Sequence, residues 1–167
     1  TDAEGRVNVT WDDSSHMLLL SNTEYTITAF SIDEGTLSLD ADLTGTAVIE
    51  TSSDTQFDTF NLSLHDVTIT QAADLMSVWS FPDVTDAVTV ASGTAQVMNA
   101  EATIEIPAGS GFFAEDDRTE STPFDPEWHA AGLEASLYGC DGVIKTANNT
   151  TLLVRTGPGR GFQPMGT

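Results

Sequence analysis

Basic side chains are scarce in this chain: 5 Lys and Arg stand against 26 Asp and Glu, for a formal net charge of -21. Lys145 is the only lysine. A field of that sign repels the phosphates of nucleic acid and anionic lipid headgroups, which argues against both as partners. Cysteine is absent except for Cys140, so no disulfide can form within the chain. A lone cysteine is read first as a small buried apolar residue, or, in an exported protein, as a thiol that pairs between chains. No apolar run approaches the roughly 18 residues of a membrane-crossing helix, so no membrane span is expected. The sequence opens on Thr1 rather than Met, which suits a processed or excerpted chain, and export has to be argued from other features.

What remains is ample for a packed core: 167 residues, 40% of them hydrophobic. Period-2 alternation dominates. It runs through Val7–Trp11, Tyr25–Phe30, Thr36–Asp40, Thr46–Glu50, Phe60–Leu64, Val67–Thr70, Ala87–Val90, Ala95–Met98 and Ala102–Ile106, with an apolar run at Met17–Leu20. Turn-forming residues separate these segments: Asp12–Ser15, Ser21-Asn22, Asp33–Gly35, Ser52–Asp54, Ser92-Gly93 and Pro107–Gly109. Many short strands at such spacing predict an all-β fold, an antiparallel β-sandwich or β-roll. One short helix is expected near 126–138, with Asp125 as N-cap, Pro126 in the first turn and Gly139 at the end. A boundary is placed at Asp141-Gly142, giving a body over 1–141 and a C-terminal strand and tail over 142–167.

Two resemblances follow from specific stretches. Gly5–Ser14 with Leu18–Thr23, and Val88–Val97 with Ile104–Gly109, resemble the opening and closing strand pairs of FecR-like extracytoplasmic β domains, framing residues 5–113. Ser14-Ser15 stands where that family has Asp-Gly, Ser21 where proline is common, and the family's central segment is not recognisable. Residues 152–162, Leu-Leu-Val-Arg-Thr-Gly-Pro-Gly-Arg-Gly-Phe, resemble the first strand and turn of a bacterial SH3-like module, and only the start of one fits within 143–167. The resemblances imply an extracellular or cell-surface location and a structural or sensing role without catalysis.

The residues themselves agree that no chemistry is announced. His16, His65 and His129 are far apart, with no ligand partner at metal-binding spacing, and nothing around Cys140 would activate a nucleophile. Gly157-Pro158-Gly159-Arg160-Gly161 lacks the Lys-Ser/Thr of a phosphate loop, and Lys145 reads as a solvated strand residue. Neither a catalytic residue nor a cofactor is expected. If a cation binds, Ca²⁺ fits the oxygen donors, with Asp40 and Asp42 or Asp116 and Asp117 as candidates, although neither pair sits in a dense acidic loop. Asn8, Asn61, Asn148 and Asn149 fit the N-x-Ser/Thr sequon, which would make the protein a glycoprotein if exported.

The expected function is a non-enzymatic extracytoplasmic structural protein that self-associates into a filament or surface array. Thr-rich strands offer edges that main-chain hydrogen bonds can extend between chains, and Leu152, Leu153 and Val154 are the candidate inter-subunit strand. A cell-wall or extracellular polysaccharide is the other partner considered. The alternative reading is a FecR-like sensor or a ligand- or glycan-binding module acting as a monomer.

Overall fold

The computed structural model describes residues 1–3, 5–11, 14–33, 36–52, 57–82, 84–100, 102–114, 120–123, 154–155 and 164–166. The strands are β1 (Val7–Thr10), β2 (His16–Leu19), β3 (Glu24–Asp33), β4 (Thr36–Glu50), β5 (Phe57–Ser63), β6 (Val67–Gln71) and β7 (Leu75–Phe81). They continue with β8 (Val84–Ser92), β9 (Thr94–Asn99), β10 (Ala102–Pro107), β11 (Ser110–Phe113), β12 (Thr122–Pro123), β13 (Val154–Arg155) and β14 (Pro164–Gly166). The described residues are all-β, as the alternation predicts; the helix expected near 126–138 and the boundary at Asp141-Gly142 lie outside them.

Twelve strands form one curled mixed sheet, and β13 and β14 form a separate two-stranded sheet. The long strand β4 belongs to both halves of the curl. Its first part, Thr36–Thr44, pairs with β3 and β5, and its second part, Gly45–Glu50, pairs with β2 and β7. The segments 36–40 and 46–50, expected as two strands, are thus one. The bend between them falls at Gly45, whose φ is 122°. A Cβ at Gly45 would lie 2.6 Å from Thr23 Cα and Oγ1. Thr23, buried itself, bridges the bend: its Oγ1 accepts from the Thr46 N–H at 3.0 Å and donates to the Thr46 carbonyl at 3.1 Å.

The pairings are antiparallel with one exception. Strands β4 and β5 run parallel, Leu37–Asp42 beside Phe57–Ser63. Parallel neighbours cannot be joined by a tight hairpin, and alternation within each strand does not reveal which strands will lie parallel.

One core fills the inside of the curl. Along β4, Leu37, Leu39, Ala41, Leu43, Ala47 and Ile49 point inward to meet Leu62, Ile69, Met76, Val88, Val97, Ile106 and Phe112. The half-sheet around β7 and β8 is also buried on its other face, where Leu18, Val48, Leu75 and Ala91 cluster and Ser77 Oγ meets Thr89 Oγ1 at 2.6 Å. Burial on both faces explains why β7 reads as Leu-Met-Ser-Val-Trp-Ser-Phe, without alternation, and why no strand is expected there from sequence.

Candidate functional site

The most exposed apolar surface of the described residues belongs to β3. Strands β2 and β3 run end to end, antiparallel to β4 along its whole length. On the far side, β1 pairs with β2. Among the described residues β3 pairs with β4 alone, so its outer edge lacks a ladder partner over ten residues, Glu24–Asp33. A strand laid there would continue the line of β1.

The sequence of β3 fixes which side chains accompany that edge. Tyr25 and Ile27 alternate in one phase, Phe30 and Ile32 in the other, so a regular strand would put the pairs on opposite faces. The register slips between Ile27 and Ala29, leaving Thr28 as the extra residue of a bulge. Thr28 Oγ1 donates to the Asp40 carbonyl at 3.0 Å, anchoring the irregularity. With the slip, Tyr25, Ile27, Phe30 and Ile32 stand opposite Leu43, Ala41, Leu39 and Leu37, all on the core-side face. Yet Ile27, Phe30 and Ile32 are 49%, 46% and 58% exposed. Fully covering one such side chain contributes roughly 1.5–3 kcal/mol.

Tyr25 closes the inner end of this stripe. It packs on the core, its hydroxyl is buried without a hydrogen-bond partner, and burial pushes its pKa from 10.0 up to about 12. The opposite face of β3 is acidic: Glu24 and Asp33 stand opposite Thr44 and Thr36, and Asp40 and Asp42 extend the same face along β4. The arrangement is an open strand edge with an apolar inner face and an acidic outer face. It provides main-chain hydrogen bonds and a surface to cover.

A second buried polar group lies inside the curl. Asp86 is 0% exposed; its Oδ2 accepts from the Asp66 N–H at 2.6 Å and the Val67 N–H at 3.3 Å, while Oδ1 has no partner. Burial raises its pKa above 3.8 against the lowering effect of those bonds and of a hydrogen bond with the Ser80 side chain. The two N–H groups it binds open β6, so it holds the β5–β6 turn.

The residues singled out from sequence are dispersed. Asp40 and Asp42 share the outer face of β4, and Asp40 Oδ1 accepts from Asn61 Nδ2 at 2.7 Å. No cluster of three or more potential metal ligands occurs among the described residues. His16 contacts Thr10 at 3.2 Å and His65 pairs with Asp66 at 2.9 Å on the surface. Of the sequons, Asn8 is exposed on β1, whereas Asn61 is half-buried and engaged by Asp40, a poor position for a glycan. Asn148, Asn149, His129, Cys140, Lys145, Asp116, Asp117, Leu152 and Leu153 lie outside the described residues. Val154 lies in β13, opposite Gly166 of the same chain. The open edge of β3 was not singled out from sequence. The phase change between Ile27 and Phe30 was the available signal.

No family model and no curated protein matches this chain. Two crystal structures of a candidate anti-sigma factor from Parabacteroides distasonis are similar in fold, with TM-scores of 0.62 and 0.60 at 17% and 18% identity over 80% of this chain. The chain spans 62% of the length of those proteins. At such identity the likeness concerns the fold alone.

Proposed function

We propose that this chain is a non-enzymatic extracytoplasmic structural protein that assembles with copies of itself by strand addition, and that the edge of β3 receives the incoming strand. The observation that carries the reading is the ten-residue unpaired edge beside an exposed apolar stripe. Ladder bonds supply affinity at such an edge, and covering Ile27, Phe30 and Ile32 supplies the hydrophobic gain. No cofactor or reacting group is needed. Extracellular or cell-surface placement rests on the FecR-like and SH3-like resemblances.

A second reading is a FecR-like sensor or ligand-binding module acting as a monomer. The similarity in fold to a candidate anti-sigma factor favours it. Electron microscopy and sedimentation velocity of purified protein at neutral pH separate the two. Polymers that disappear in an Ile27→Asp/Phe30→Asp variant with unchanged circular dichroism are the expected result. A parent that stays monomeric at every soluble concentration rules out assembly and leaves the sensor reading.

A further inference from the structure

We infer that the strand received at β3 comes from the basic segment 142–167 of a second copy, so that copies join through two different surfaces. The inference rests on the assembly reading and names the donor.

Charge is partitioned along the chain. Every one of the 26 acidic residues lies at or before Asp141, where only Arg6 and Arg118 oppose them. From Gly142 onward the charged side chains are Lys145, Arg155 and Arg160, all basic. A cationic tail and an acidic body attract each other in trans, which offsets the repulsion expected between two chains of net charge -21.

The tail also has the right form. Strands β13 and β14 pair only with each other in the described structure, as a ribbon separate from the main sheet. A lone two-stranded ribbon is marginal in water and gains from joining a third strand with an apolar face. Successive residues of a strand face opposite ways. In a regular strand, a segment that laid Val154 over the stripe of Ile27, Phe30 and Ile32 would present Arg155 to the acidic face. Glu24 and Asp33 stand at the two ends of β3 on that face, so the edge offers an acid toward either end to a basic residue of an incoming strand.

The competing contact, β3 against β3 of another copy, lacks this complementarity. Antiparallel pairing of the full strands sets Glu24 opposite Asp33 at both ends, and like charges directly opposite destabilise a ladder. A tail-to-edge contact joins two different surfaces, so it propagates into an open chain unless the rotation closes a ring.

The test mixes two full-length variants. The edge variant, Ile27→Asp/Phe30→Asp, keeps its tail; the tail variant, Val154→Asp/Arg155→Glu, keeps its edge. Each alone should self-associate at least tenfold more weakly than the parent, and an equimolar mixture should form heterodimers and stop there. A tail variant that assembles like the parent, while the edge variant does not, overturns the tail as donor and leaves assembly at β3 standing. A mixture that stays monomeric overturns the inference as well. So does a monomeric parent whose β3 amides are protected from hydrogen exchange by its own tail, with protection lost in the tail variant.

Discussion

Tyr25 and Asp86 each bury a polar atom without a partner, and the consequences have opposite reach in pH. Tyr25 ionises at about 12 in the fold against 10.0 ordinarily, so the stability its neutral form contributes is fully present below about pH 10 and lost between there and pH 12. Tyr25→Phe removes an unsatisfied hydroxyl and keeps the ring. Urea denaturation at pH 7 should show a gain of about 1 kcal/mol, within the range for releasing a buried unpaired group. Asp86 works in the acid range: its folded pKa lies above 3.8, so the contribution of its protonated form is complete below that value and is lost as pH rises through the folded value. Once ionised, the desolvated carboxylate weakens the fold. Asp86→Asn retains an oxygen to accept from Asp66 and Val67. Calorimetry should then find a smaller fall in Tm as pH rises above 3.8 than in the parent, and an unchanged fall would show that Asp86 is not its source.

At the scale of elements, β3 and β4 carry the features that position the open edge. The two alternating phases of β3 lie in its sequence, but only the pairing with β4 shows that a bulge at Thr28 reconciles them on one face. Strand β4 crosses between half-sheets because Gly45 takes a φ of 122° and leaves room for Thr23. Gly45→Ala imposes both a disfavoured backbone angle and a 2.6 Å contact. It should cost about 1–3 kcal/mol, read from the denaturation midpoint. The same change should leave the exposed stripe of β3 in place only if the bend survives, which near-ultraviolet circular dichroism reports. Strands with one buried face, such as β6 and β9, were legible as alternation. Strands β7 and β11 were not, since a strand covered on both faces or limited to Ser-Gly-Phe-Phe carries no period-2 signal.

For the whole molecule, net charge is the dominant long-range term. Carboxylates at -21 repel one another most in the compact state, and salt screens them over a Debye length of about 8 Å at physiological strength. The melting temperature should therefore rise by several degrees between about 0.02 M and 0.5 M NaCl, beyond the shift of a near-neutral domain of similar size. A flat or falling Tm would mean that specific ion pairs outweigh the general repulsion.

The all-β class follows from the sequence, because alternation and turn chemistry are local and repeat through residues 7 to 107. So do the acidic character of the body and the basic character of the tail, which depend only on composition. Only the folded arrangement shows that β4 serves both halves of the curl, that β5 lies parallel to it, and that β3 pairs with β4 alone among the described residues. Those outcomes depend on which strands meet across distant segments. Pairing partners are chosen by the packing of the shared core, and no period within a single strand encodes them.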